Sequence, residues 1–331
     1  MSVRLLKKAV QYFLFAKQIL ACKNTGGVDE ANAIVAEPEH PNLEPKHIES
    51  HPEFVPPGHF YSTIPCMAEV DRDAERIFDR SLRQLGGIDL NIDQQLTMLE
   101  RLKTFYPELP FGDERQEALR YYFKNDAFLY SDAIFLYCMI RWTKPKEIIE
   151  IGSGFSSFVM LDTNELFFDG QIHLTCIDPY DALLRSGMKT QDFDNTEIMN
   201  KRVQDVPLSV FERLQEGDIL FIDSSHVSKI GSDVNHNLFE ILPRLRPGVL
   251  VHFHDMFFPF EYHKQWIADK MFWNEDYLLR AFLQYNSAFK IVVWNQFLGI
   301  CFRERLEEWM PLCLKRIGGS LWLRKTGTCH E

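Results

Sequence analysis

No two cysteines in this 331-residue chain stand close enough to make a Cys-x-x-Cys pair; Cys22, Cys66, Cys138, Cys176, Cys301, Cys313 and Cys329 are scattered singly and odd in number. That argues against a disulfide scaffold or a thiolate metal knuckle and for reduced thiols, packed as small hydrophobes in a cytoplasmic protein. Long apolar runs are missing too. The one stretch that could imitate a targeting or membrane segment, Val3 to Cys22, is broken by Lys7, Lys8, Gln11, Lys17 and Gln18, so no signal peptide or transmembrane segment is expected. Basic charge is scarce: 36 Lys and Arg face 47 Asp and Glu, the formal net charge is −11, and no basic patch stands out. Nucleic acid is therefore not expected as partner or substrate. There is no internal repeat or low-complexity tract. What remains is an ordinary globular composition, 46% hydrophobic and 25% charged, long enough for one large domain with an extension.

Four regions are expected. In residues 1–22, Leu6, Val10, Phe13 and Leu14 recur at helical spacing. Such an amphipathic helix suits docking on its own domain, on a second copy of the chain as a homo-oligomer contact, or, less favourably, on a membrane surface. Residues 23–60 read as a linker or arm, because Pro38, Pro41, Pro45, Pro52, Pro56 and Pro57 block any long helix. The arm's His40, His47, His51 and His59 are too irregularly spaced for a metal site. Residues 61–145 read as a helical subdomain, with helices from Asp73 to Leu85, Asp93 to Phe105, Asp113 to Phe123 and Ser131 to Trp142, each opening near an Asp or Ser able to cap it. After Pro145 the texture changes. Short apolar runs at Glu147–Ile151, Ile172–Ile177, Asp218–Ile222, Gly248–Phe253, Phe289–Trp294 and Ser320–Leu323, with a poorer one at Glu197–Val203, alternate with helical segments. Residues 146–331 are thus expected to be an α/β domain with a mainly parallel sheet wound by right-handed crossovers.

The first run ends in Glu150-Ile151-Gly152-Ser153-Gly154-Phe155-Ser156-Ser157, and a helix follows. Glycines at a strand-to-helix turn let a ligand approach the backbone, and the N–H groups opening the helix attract polar groups. The second run closes on Asp178, where a carboxylate can accept from both hydroxyls of a ribose. A glycine turn with a loop Asp capping the next helix is the alternative.

Taken in order, Glu150-Ile151-Gly152-Ser153-Gly154, Asp178, Asp218-Ile219-Leu220-Phe221-Ile222-Asp223 and Arg246-Pro247-Gly248-Val249-Leu250-Val251 resemble a class I S-adenosylmethionine-dependent methyltransferase. The departure is Ser156, where the common pattern has a third glycine. The resemblance implies a Rossmann-like sheet of order 3-2-1-4-5-7-6 whose last strand runs antiparallel, and S-adenosyl-L-methionine as cofactor. It implies that Glu150, Gly152, Ser153 and Gly154 face the methionine part, that Asp178 holds the ribose, and that adenine lies near Gln204 and Asp205. Asp223 would close the cofactor site.

Two strand ends carry the remaining chemistry: Asp223-Ser224-Ser225-His226 after the fourth run and His252-Phe253-His254-Asp255 after the fifth. Open α/β folds bind ligands at this carboxyl edge. The pattern resembles catechol-type and sugar O-methyltransferases, which implies a divalent cation held at Asp223, His254 and Asp255. His254 departs from the usual Asp or Glu and would shift preference from Mg²⁺ towards Mn²⁺, Fe²⁺ or Zn²⁺. The alternative to a metal is direct general-base action by His226 or His254, supported by Asp255. His252 reads as structural. The aromatic run from Met256 to Trp266 suits either an acceptor pocket or core packing. The activity expected is methyl transfer to a hydroxyl, less favourably an amine, of a small molecule or saccharide. A metal-dependent hydroxylase on the same fold and a non-catalytic cofactor-binding scaffold are the alternatives.

Overall fold

The structure is a computed structural model describing residues 54–81 and 84–327. The helix expected over residues 1–22, and all but the end of the arm expected over 23–60, lie outside the described residues. The chain divides into two compact units, Met1–Ala74 and Glu75–Glu331. Within the first, Met67–Arg72 forms a short helix, α1, with no buried residue.

The second unit holds a seven-stranded sheet: β1 (Glu147–Ile151), β2 (His173–Ile177), β3 (Thr196–Met199), β4 (Ile219–Ile222), β5 (Leu250–Phe253), β6 (Phe289–Trp294) and β7 (Leu321–Lys325). The order is β3-β2-β1-β4-β5-β7-β6. β1 to β5 pair in parallel, and β7 runs antiparallel between β5 and β6, as the resemblance implies. The central strands are apolar at consecutive positions because both faces are covered. Ile148, Ile149 and Ile151 in β1 and every residue of β4 are buried, each large side chain contributing about 1.5–3 kcal/mol. β3 is an edge strand, only partly buried, and stops at Met199 rather than Val203 because the Lys201 N–H turns back to the Met199 carbonyl, 2.8 Å away.

Three further helices position the site. α2 (Ile92–Leu102) turns Met98, Leu99 and Leu102 inward. α3 (Tyr130–Thr143) is buried without interruption from Tyr130 to Ile140 and packs on α4 (Phe155–Phe168), the helix that follows β1. The helices of residues 75–145 therefore belong to the same compact unit as the sheet. Of the helix expected from Asp73 to Leu85, the described residues form only Ala74–Ile77. The helix expected from Asp113 to Phe123 does not form. Its backbone N–H groups are taken from outside: those of Arg120 and Tyr121 donate to the Asp162 carboxylate at 2.9 and 2.8 Å, and that of Phe123 donates to the Gly112 carbonyl at 2.8 Å. The same segment buries Arg120, whose guanidinium meets Asp162, Glu165 and Asp192 at 2.6, 2.8 and 2.5 Å. Among the described residues no helix is long and apolar enough to cross a membrane.

Candidate active site

β1 ends at Ile151, and Gly152 turns the chain with φ +84°. A Cβ there would lie 1.8 Å from the Asp223 carbonyl oxygen, so only glycine lets the turn rest on the end of β4. Gly154 lies at the entrance to α4 and is open: a Cβ would meet only Leu183 Cδ2, at 3.5 Å. Ser153 reaches across to Asp178, which follows β2; its N–H and hydroxyl both donate to Asp178 Oδ2, at 2.8 and 2.9 Å, while the Tyr180 N–H takes Oδ1 at 2.7 Å. A carboxylate offers about four acceptor sites, so Asp178 keeps about one unfilled. Glu150 points beneath the turn. It is fully buried and accepts from Ser156 Oγ at 2.6 Å and Ser157 Oγ at 2.5 Å. Burial pushes its carboxyl up to about 8, against the pull of the two hydroxyls. Ser156, the departure from the third glycine, is thus a hydrogen-bond partner for the buried acid.

Beside this turn, the ends of β4 and β5 bring four ionisable side chains together. His226 Nε2 lies 3.4 Å from Asp223 Oδ1 and 4.0 Å from Asp255 Oδ2, and His254 Nε2 lies 3.6 Å from Asp255 Oδ1. Both His226 (φ +58°) and Asp255 (φ +55°) adopt the left-handed backbone without being glycine. Such conformations cost about 1–3 kcal/mol each and gather at functional sites. Burial works against the Asp223 carboxylate, but the charge of His254, then of His226, overrides it and takes its pKa down to about 2. Burial likewise opposes the His226 imidazolium, yet Asp223 and Glu275 raise its pKa well above 6.5. His252 behaves oppositely. Buried and stacked on Phe221 at 3.9 Å, with Nε2 3.0 Å from Ser320 Oγ, it is driven by burial well below 6.5 and stays neutral in the core.

A family model described as a methyltransferase domain matches residues 149–256, from β1 through the end of β5, the span that holds both the glycine turn and the cluster. The chain carries a methyltransferase domain. An uncharacterized protein of Archaeoglobus fulgidus is 41% identical over 174 residues, covering 50% of this chain and 76% of that one. Among solved structures, the O-methyltransferase TomG from Streptomyces achromogenes, in complex with SAM, is 14% identical, covering 78% of this chain and 96% of TomG with a TM-score of 0.40. The Podospora anserina methyltransferase PaMTH1, SAH-bound, is 12% identical, covering 79% of this chain and 95% of PaMTH1 with a TM-score of 0.39. Likeness at that level transfers no residue roles. In this domain, Gly152, Ser153 and Gly154 form one turn, Asp178 after β2 is hydrogen-bonded to it, and Glu150 lies beneath it. Asp205 is exposed and ion-paired with Arg202 at 2.8 Å.

The residues named for a metal, Asp223, His254 and Asp255, do meet at one edge, but they do not fit as a ligand set. Among the described residues no group of three or more His, Cys, Asp or Glu side chains could hold a metal ion. His226 stands between the carboxylates instead. Besides the Ser156 and Ser157 hydroxyls on Glu150, three partners escaped the sequence reading. Glu275, 1% exposed at the start of α5 (Glu275–Leu283), holds His226 Nδ1 at 2.9 Å. Trp273 lies against the His226 ring, with centroids 4.5 Å apart. Asp132, buried in the first turn of α3, accepts from Ser320 Oγ, Asn295 Nδ2 and the Gly319 N–H at 2.7, 2.9 and 3.0 Å, fastening α3 to the start of β7. Of the aromatic run, Phe257, Phe258, Phe260 and Tyr262 are packed in the core, and Trp266 stays half-buried, its ring 5.1 Å from that of Trp273.

Proposed function

We propose that the enzyme transfers the methyl group of S-adenosylmethionine to a hydroxyl of a small molecule or saccharide, an amine being the less favoured acceptor. The observation that carries this reading is contiguity. Gly152 rests on the Asp223 carbonyl, so the open turn at Gly154 and the imidazole–carboxylate cluster share a wall. Bound S-adenosylmethionine supplies a methyl carbon on a positively charged sulfur. Ser153, Gly154 and Asp178 hold the donor, and Asp223 and Asp255 orient the acceptor hydroxyl in line with that carbon, a placement able to contribute several kcal/mol. Bound there, the donor would supply its methyl carbon to the acceptor oxygen, and His254 would take the hydroxyl proton in its neutral form, the form favoured at higher pH because, against burial, Asp223, Asp255 and Asp132 raise its pKa above 6.5. His254 is preferred to His226 as the base on geometric grounds. Both nitrogens of His226 face carboxylates, whereas His254 Nδ1 has no partner and its Nε2 is 3.6 Å from Asp255, beyond hydrogen-bond range.

The test is a labelled-methyl screen against hydroxylated metabolites and saccharides, run with added divalent cations and with chelator, on wild type and on His254→Ala. The reading expects label in a hydroxylated product, lost in His254→Ala while donor affinity is kept. Full transfer by His254→Ala in chelator removes both the base and any metal at this position. We place the reaction in the cytoplasm, in keeping with the free thiols of Cys66, Cys138, Cys176 and Cys313.

A further inference from the structure

Three carboxylates from three different elements surround the His226 ring: Asp223 after β4, Asp255 after β5 and Glu275 at the start of α5. The ring nitrogens are shared among them, Nδ1 at 2.9 Å from Glu275 Oε2, Nε2 at 3.4 Å from Asp223 Oδ1 and 4.0 Å from Asp255 Oδ2. Ionised carboxylates only accept, so a ring that satisfies Glu275 and Asp223 together donates from both nitrogens. The backbone fixes it in place. The His226 carbonyl accepts the N–H groups of Asn274 and Glu275 at 3.1 and 3.2 Å, the residue sits at φ +58°, and Trp273 covers one face of the ring. Glu275 is 1% exposed, and its Oε1 has no hydrogen-bond partner, which leaves this buried carboxylate with unused acceptor capacity.

We infer that the His226 ring occupies the position of a divalent cation at this sheet edge, bridging carboxylates that would otherwise call for a metal. Carboxylates facing one another, Glu275 buried and Asp223 and Asp255 half-buried, are costly without a counter-charge, and here the side chain supplies it from within the chain. Removing the ring leaves an oxygen-only set around a vacated imidazole-sized space, the donor chemistry that suits Mn²⁺ or Mg²⁺. The ring as substitute and the ring as ligand predict opposite signs for the same substitution.

The experiment is Mn²⁺ titration of the full-length chain, stripped with chelator and followed by electron paramagnetic resonance of the free ion, on wild type, His226→Ala, His226→Gln, and His226→Ala combined with Glu275→Gln. It needs neither methyl donor nor acceptor, so its outcome is separate from that of the proposed transfer reaction. The inference expects negligible uptake by wild type and one Mn²⁺ in His226→Ala, bound at least about tenfold more tightly, on the order of 1.4 kcal/mol, with the gain reversed by the added Glu275→Gln. His226→Gln, which keeps a polar side chain in the space, is expected to fall between. One Mn²⁺ in wild type that is lost in His226→Ala makes the ring a ligand and overturns the inference; tight uptake by wild type alone already does so, even if a variant unfolds. No uptake by folded His226→Ala and His226→Gln overturns it as well, because the carboxylates then do not form a cation-shaped set.

Discussion

Replacing Gly152 with alanine tests the contact on which the site is built. The added Cβ would sit 1.8 Å from the Asp223 carbonyl oxygen and 2.8 Å from its carbon, where ordinary contact begins at 3.4 Å, and the residue keeps φ +84°. The left-handed conformation costs an alanine about 1–2 kcal/mol, and forcing backbone apart in a packed region adds about 1–3 kcal/mol. β4 is buried along its whole length and cannot retreat freely. The sum is roughly 2–5 kcal/mol, a fall in unfolding midpoint of about 5–15 °C for a unit of this size. Gly170→Ala is the control: it has φ +71° but nothing within 4 Å of its Cβ, so it carries the conformational cost alone. Thermal unfolding followed by circular dichroism compares the two. If Gly152→Ala loses no more stability than Gly170→Ala, the turn does not rest on β4, and the shared wall between donor turn and cluster is wrong.

The buried acid under the turn should tie stability to pH. An unfolded Glu titrates near 4.3, whereas Glu150 is pushed up to about 8 by burial, reinforced by Asp223 and opposed by Ser156, Ser157 and Cys176. Between those values the unfolded chain releases the proton and the native chain keeps it, so stability falls as pH rises through the window, by a few kcal/mol at most, and levels off above it. Urea unfolding at pH 5 and pH 8 should show Glu150→Gln with a shallower slope than wild type; parallel curves would mean that the carboxyl is not held protonated. Arg120→Met should cost about 3–5 kcal/mol in the same assay, because Asp162 and Asp192, 0% and 6% exposed, lose their cation; a loss under about 1 kcal/mol would show the pairs to be dispensable.

The sheet was legible because its signals are local. Doubly covered strands read as short β-branched runs, and the turn after β1 and the acids after β2 and β4 stand at fixed places on them. What could not be read was decided by partners remote in sequence. Residues 113–123 have a helical pattern, but Asp162, 41 and 42 positions on, captures two of the N–H groups that a helix would use. Glu275 lies 49 residues beyond His226 on a helix whose amphipathic pattern needs no functional explanation, and only chain closure brings them together. Ser156 was the one missed partner with a local signal. A glutamate buried in a central strand needs donors, and the hydroxyls six and seven positions later supply them.

The measurement that bears most directly on the whole account is calorimetric titration with S-adenosylhomocysteine, comparing wild type with Gly154→Val. The added Cβ meets only Leu183 Cδ2, at an ordinary 3.5 Å, so the unfolding midpoint should stay within a few degrees of wild type. The account predicts one site per wild-type chain and a loss of at least about a hundredfold in affinity, roughly 2.7 kcal/mol, in the variant. Equal affinity in the two proteins, or no binding by wild type, would contradict it.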